Sequence, residues 1–337
     1  MITEITGEYI MASIREIAQR AQVAPGTVSR ALNGKGYISK ETREKIEKAL
    51  TELEYVPNEL ARNLYRNRSN MIGAILPDIE HPFFIGIIKK LVTEMKKYGY
   101  SVVLWPTEYH TETEQEYLDQ LKCNVVDGVV NFVPMLPDEV YQKLQRPMVM
   151  FDRIVEGIIH IPIDQEKSGL IAAQKLYADG CRHVLTAVGE KSEAIPSLRR
   201  HTVFTAEMER LGGQVDIISA EWKDFHFSSY LKLAEEALSH YPKADGIYAA
   251  DILGNAFLKT LLRKGISVPD NFEIISTDGI SDTDNAAFCL SAVVQPAEEI
   301  ARWTARSLTA QISGGQSPSE ETIDVYLFEG DTTRLSC

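Results

Sequence analysis

The chain has 337 residues, 44% hydrophobic and 25% charged, the make-up of a soluble globular protein of two or three domains. No apolar run approaches the ~20 residues that span a bilayer, and the opening MITEITGEYI has neither the basic start nor the apolar stretch of a secretory signal. A cytoplasmic protein without membrane contact is expected. Its net charge of −13 hides an asymmetry: residues 11–70 hold 11 Lys and Arg against 7 Asp and Glu, whereas residues 71–337 hold 24 against 39. A small basic head on an acidic body points to a polyanionic partner for the head. Cys123, Cys181, Cys289 and Cys337 are scattered without metal-ligand spacing. Reduced thiols, no metal and no cofactor are expected.

Residues 1–11 are expected to be a disordered tail or an upstream extension, with Met11 the more convincing beginning. Ile14, Ile17, Ala18 and Ala21 recur on one helical face behind Ser13, a suitable cap. A tight turn at 21–23 leads to a second helix with Val28, Ala31 and Leu32 inward, stopping at Asn33-Gly34. Ser39 and Thr42 compete to cap a third, lined by Ile46, Ala49, Leu50 and Leu53. Three short helices with a tight first turn make a helix-turn-helix over 12–57. On pattern alone a three-helix bundle for protein contact stays open. Proline is tolerated at the first helical position, where its missing N–H has no intrahelical use, so VAPGTVSR can begin a helix at Pro25.

Residues 58–70 follow as a short basic segment, with Arg62, Arg66 and Arg68 against Glu59. A helix capped by Asn58 is too short to be stable alone, and such a segment can fold on binding. From Met71 short apolar runs (MIGAILP, YSVVLWP, VDGVVNFV, PMVMFD, then CRHVLTAVG, GQVDIISA, ADGIYAAD, FEIISTD) alternate with amphipathic stretches. That alternation predicts buried strands in parallel sheets with helices on both faces: an α/β body over 71–337. Two subdomains are expected, about 71–179 with 295–318 and about 180–294 with 319–337, ligands binding at the carboxyl ends of the strands. No nucleotide-binding, zinc-protease or nucleophile-elbow motif occurs, so an enzyme is not expected.

The run SIREIAQRAQVAPGTVSRALNGKGYISKETREKIEKALTELEYVPNELARNL resembles the DNA-binding head of the lactose-repressor (LacI/GalR) family, through TVSRALN, the start of the third helix, and YVPN before ARNL. The resemblance covers about 55 residues densely. It implies a recognition helix on which Thr27, Ser29 and Arg30 face the major groove or its phosphates. Pro25 and Gly26 fall where family members carry base-reading side chains. Gly26 either lets the backbone approach DNA or relaxes specificity. Asn33 and Tyr37 match backbone-contacting positions, with a helix stop and a loop packing residue as their alternatives, and Ser13 is counted among the DNA-binding residues. In the hinge, Asn58 precedes the A-x-x-L pattern that Ala61 opens and whose Leu64, by the resemblance, wedges into a central base step, and Tyr65 packs on sugar or hinge.

More loosely, residues 71–330 resemble the family's periplasmic-binding-protein-like core, through IGAILPDIEHPFF, VDGVV, PMVMFDR, GISVPDNFEIISTDG and a closing V-Q-P. The resemblance implies effector contacts by Phe83, Asp164, Arg200, Trp222 and Asp278. Their alternatives are a core place for Phe83 and Trp222, caps or turns for the two aspartates, and a surface cation for Arg200. Asp164 is expected to end its strand, and Arg200 beside His201 raises the idea of a phosphate. Departures exist: Ala250-Asp251 replaces Asn-Asp, Asp251 then closing its own turn, and the downstream A-x-G is missing. The expectation is a transcriptional regulator, a repressor acting as a homodimer on pseudo-palindromic double-stranded operator DNA under allosteric control by a small-molecule effector, a sugar or sugar phosphate first. A purine, a nucleoside or a partner protein is the alternative. A transport solute-binding protein is disfavoured.

Overall fold

The computed structural model describes residues 13–32, 36–53, 55, 68–189, 195–220, 227–280, 288–316, 318 and 322–335. The expectations for residues 1–11, Asn33, Asn58, Ala61, Leu64, Tyr65 and Trp222 lie outside them. The chain divides into two compact units, a head to Asn67 and a body from Arg68.

The head holds α1 (Ile14–Ala21), α2 (Pro25–Leu32) and α3 (Lys40–Glu52). Ser13 and Glu16 form a reciprocal capping box at the start of α1, Glu16 N–H donating to Ser13 Oγ at 3.3 Å and Ser13 N–H to the Glu16 carboxylate at 2.6 Å. Gln22 takes a left-handed backbone at φ 55°, which ends α1 and makes the tight turn. Ser39, not Thr42, caps α3 by accepting from Thr42 N–H at 3.2 Å. Ile17, Ala18, Ala21, Val28, Ile46 and Ala49 form the core. Arg20 bridges to Glu52 at 2.6 Å and ties α1 to α3.

The body has two sheets. The first has order β2 (Ser101–Pro106), β1 (Met71–Leu76), β3 (Gly128–Asn131), β4 (Met148–Met150), β5 (Ile159–His160), all parallel. The second has order β11 (Tyr326–Phe328), β10 (Ser291–Val294), β9 (Glu273–Asp278), β8 (Gly246–Ala250), β6 (His183–Val188), β7 (Gln214–Ser219). It is parallel apart from β11, which pairs antiparallel with β10 and departs from the all-parallel expectation. YSVVLWP, predicted as a buried strand, becomes edge strand β2 with Leu104 exposed.

Each sheet is covered on both faces, which is why its central strands are continuous apolar runs. On the first, α4 (Pro82–Lys97) and α11 (Ala297–Ile312) cover one face, and α5 (Thr111–Lys122) with α6 (Asp138–Gln142) the other. On the second, α7 (Gln165–Ala178) and α8 (Leu198–Leu211) face α9 (Phe227–His240) and α10 (Asp251–Arg263) across the sheet. Helix α7 therefore belongs with the second subdomain. Ala172, Ala173 and Leu176 pack with Val184, Phe204 and Tyr248, so the chain crosses near Ile163 rather than at 180. It returns between β10 and α11. Ile323 packs in the first core and bridges to Ile163, so the last crossing follows it rather than preceding 319.

Below the second sheet lies a buried charge cluster. Lys175 bonds Asp179 at 2.9 Å and Glu329 at 3.0 Å, and Arg334 meets Glu273 at 3.2 Å. Glu273 is 1% exposed, with Arg334 as its cationic partner and the Asp179 carboxyl beside it. Burial first, then Asp179, pushes the Glu273 carboxyl up to about 8 against the pull of Arg334 and Lys175. The folded state thus holds a proton that the unfolded chain releases near pH 4.5, and this contribution to stability is lost as pH rises through 8. The slope of melting temperature against pH between 5 and 9 should flatten in Glu273→Gln relative to wild type; Asp179, Cys181 and Asp245 near the same cluster are left in place as shared background.

Candidate functional site

Helix α2 presents the DNA-facing candidates. Ala24 C=O accepts from Thr27 N–H at 2.8 Å and Val28 N–H at 3.3 Å, so the helix starts at Pro25 without a side-chain cap at Ala24. Val28 is buried, Thr27 and Ser29 half-buried, and Pro25, Gly26 and Arg30 exposed. The Arg30 guanidinium folds back along the helix, donating to Gly26 C=O and to Thr27 Oγ1, both at 3.3 Å. A methyl at Gly26 would meet nothing within 4 Å. Tyr37 is 95% exposed, which removes its alternative as a loop packing residue. Ser13 stays exposed while its hydroxyl caps α1.

In the body the carboxyl ends of the strands converge, and the centre of the site is Asp278 at the end of β9. Its backbone is left-handed, with φ 81°. Thr277 Oγ1 donates to its Oδ1 at 2.8 Å and Gln295 Nε2 at 2.6 Å. Arg200, 6% exposed on the first turn of α8, lies 3.5 Å from the same oxygen and donates through Nε to Ser197 C=O at 3.2 Å. Arg200 is thus a buried, paired cation and not a surface one. Gly169 on α7 makes this possible, since a Cβ there would stand 2.2 Å from Arg200 C=O.

Asp251 does not close its own turn. Its carboxylate accepts from Gly279 N–H at 3.3 Å and Ile280 N–H at 2.6 Å, fixing the loop after Asp278. Burial, then the charge of Asp278, raises Asp251 to about 7. From the first subdomain, Asp152 accepts from Ser197 N–H at 3.0 Å and Ser197 Oγ at 2.6 Å, and burial raises its pKa while Ser197 and Arg200 oppose.

Phe83 packs into the first core against Phe84 and Phe151, each at 5.6 Å between ring centroids, which is its core alternative. Asp164 does not end a strand. It is the cap of α7, accepting from Lys167 N–H at 2.8 Å, and lines a groove of about 1210 Å³ with Ile154, Glu166, Arg199, His201 and Thr202. Among the described residues no hydrogen bond or ion pair joins Asp164 or Phe83 to the Arg200–Asp278 pair. His201 is held against Thr186 Oγ1 at 2.8 Å, and burial, then Arg200, lowers it to about 3, so it is neutral and adds no positive charge to the site.

Sequence reasoning missed Asp152, Ser197 and Gln295. Asp152 and Gln295 sit inside PMVMFDR and V-Q-P, stretches weighed only as family markers, and the position of each polar residue just past a buried strand was the available signal. Gln295 is 2% exposed, and among the described residues its Oε1 has no hydrogen-bond partner, a buried acceptor at the site.

The family profile described as "Bacterial regulatory proteins, lacI family" matches residues 13–58, and that described as "Periplasmic binding protein-like domain" matches 173–333. The chain is 35% identical to a ribose operon repressor of Halalkalibacterium halodurans, over 95% of this chain and 94% of that one. It is 29% identical to a sucrose operon repressor of Streptococcus mutans, over 96% and 100%. Among solved structures, a lac repressor dimer bound to operator and the anti-inducer ONPF superposes with a TM-score of 0.83 at 20% identity over 96% and 99%, a likeness of fold. A periplasmic binding protein/LacI transcriptional regulator from Alkaliphilus metalliredigens, complexed with D-xylulofuranose, matches with a TM-score of 0.71 at 27% identity, over 79% and 100%.

Replacing Gly26 with alanine should stabilise the head by about 0.5–1 kcal/mol, the usual gain for Gly→Ala in a helix, measured by thermal melting. Gly169→Ala should destabilise the body by on the order of 1–3 kcal/mol through overpacking against α8, read from urea midpoints.

Proposed function

The chain belongs to the lacI family of bacterial regulatory proteins and is a DNA-binding transcriptional repressor under small-molecule control, and from that premise we propose that its effector is an uncharged sugar held at Asp278, Arg200 and Gln295. The observation that carries this reading is the orphaned acceptor Gln295 Oε1 beside the Arg200–Asp278 pair. Each sugar hydroxyl both donates and accepts. Gln295 Oε1 and the Asp278 carboxylate supply acceptors, and the Arg200 guanidinium, with five N–H groups, has donors beyond its two contacts. The names of the ribose and sucrose operon repressors and the D-xylulofuranose complex of a relative support the same class.

Charge argues against a sugar phosphate. Arg200 is matched by Asp278, whose carboxylate lies at the site, while burial favours the neutral forms of Asp152 and Asp251. Two like unit charges about 5 Å apart repel by roughly 3 kcal/mol at an effective dielectric constant near 20. A phosphate dianion meets that repulsion from Asp278, with the site's cation already neutralised.

On DNA, two copies of the chain present paired heads to a pseudo-palindromic operator. Arg30 and Thr27 supply the side-chain readout, and Pro25 and Gly26 supply backbone surface. Ser13, Asn33 and Tyr37 meet phosphates, and Asn58, Ala61 and Leu64 carry the minor-groove contact. Asp164 and Trp222 complete the effector contacts, and Phe83 supports the cleft wall from the core. Effector binding shifts the balance between arrangements of the two subdomains, which Asp152 and Ser197 already join. Tethering multiplies the affinity of two heads, so a small change in their spacing weakens operator binding greatly.

A thermal-shift series with pentoses, hexoses, disaccharides, their phosphate esters and nucleosides tests the effector class. A neutral sugar at ~100-fold excess over its Kd stabilises by about 2.7 kcal/mol, a rise of several degrees, and Gln295→Ala and Arg200→Ala should abolish it. A larger rise with the phosphate esters or nucleosides sinks the neutral-sugar reading.

A further inference from the structure

We infer that Asp127 is a positioning residue for operator binding: its carboxylate clamps the first residues of the body, where the chain leaves toward the head, to the amino-terminal end of β3. The inference rests on the paired-head reading above.

Three donors converge on this one side chain. Ser69 N–H donates to Asp127 Oδ1 at 2.7 Å, Ser69 Oγ to the same atom at 3.0 Å, and Asn70 N–H to Oδ2 at 3.0 Å. The backbone closes around them. Asp127 N–H donates to Met71 C=O at 2.8 Å and Ser101 N–H to Asn70 C=O at 3.0 Å. Asn70 has φ 55°, a left-handed turn that reverses the chain before β1. One residue earlier, Arg68 donates to Ile312 C=O at 3.2 Å at the end of α11. Three successive residues outside any strand or helix are therefore pinned from β3, β2 and α11. Bonds of N–H groups to a carboxylate are about twice as strong as neutral ones, more than a bare entry into a strand requires.

The placement has a direction. β3 begins beside the clamp and ends at the cleft side, where Asn131 Nδ2 donates to buried Glu114 at 2.6 Å and Phe132 packs on Phe84 and Phe151 at 5.5 and 5.6 Å. A four-residue strand spans roughly 13 Å at ~3.3 Å per residue. One rigid element thus reaches from the cleft to the point where the linker departs. A movement of the first subdomain carries the linker's origin with it only if Ser69 and Asn70 cannot swivel, and Asp127 removes that freedom.

The test uses the full chain. A duplex is selected by the wild-type protein from a randomised pool, and a shuffled duplex of equal length measures non-specific binding. Asp127→Asn should lower affinity for the selected duplex at least tenfold and Ser69→Ala about threefold, while affinity for the shuffled duplex stays within twofold, because the head's own charge is untouched. Ser69→Ala removes one hydroxyl and changes no charge, so it decides the matter if Asp127→Asn fails to fold. A folded variant that keeps the wild-type ratio between the two duplexes overturns the clamp, as does a parallel loss on both. A wild-type protein that sediments as a monomer on the selected duplex overturns the paired-head reading instead.

Discussion

Asp278 sits with a φ of 81°, a backbone region that aspartate enters only under restraint and at a cost of order 1–3 kcal/mol. The restraint is visible on every side. Asp251 holds the next two N–H groups, Gln295 N–H donates to the Asp278 carbonyl at 3.3 Å, and the carboxylate receives Thr277 and Gln295. That turn aims the carboxylate at Arg200, on α8 of the same subdomain, instead of back along β9. Without it Arg200 would lose the carboxylate it pairs with and be left with the more distant Asp152, and removing one partner of a buried ion pair is strongly destabilising. Asp251, raised to about 7 by burial and by Asp278 itself, eases the local excess of negative charge by holding a proton part of the time.

The polarity of parallel strands organises the rest. Both sheets place their carboxyl ends toward the cleft, so polar groups that close a strand become cleft groups: Asp278 after β9, Asp152 shortly after β4, Gln295 after β10. Two of these come from segments that join or bond across the subdomains. Asp152 reaches Ser197, and Gln295 lies on the return to α11. The cleft and the joint between subdomains are built from the same few residues.

The head was readable because its information is local. A cap, a 3.6-residue period and a left-handed turn residue lie within about ten positions of one another, and Ser13, Ile17 and Gln22 behave as their spacing demands. The body was readable as alternation only. An amphipathic pattern states that α7 has a buried side but not which sheet buries it, so the crossing was placed some fifteen residues late. Leu104 in β2 shows the same limit, since an apolar residue in an edge strand is indistinguishable from one in a central strand until strand order is known. Asp251 was read as local because Asp commonly closes turns, yet its partners lie 28 and 29 residues away. Contacts of that range leave no periodic trace.

The empty space around Gly26 has an evolutionary consequence. With nothing within 4 Å of a side chain there, and Arg30 resting on its carbonyl, position 26 can change without disturbing the head's core. A single codon change could add a reading side chain at the exposed start of α2 and redirect the protein to a different set of promoters. The body, with its buried Arg200–Asp278 pair, would pass through such a change intact, so the same effector response could be rewired to new genes in one step.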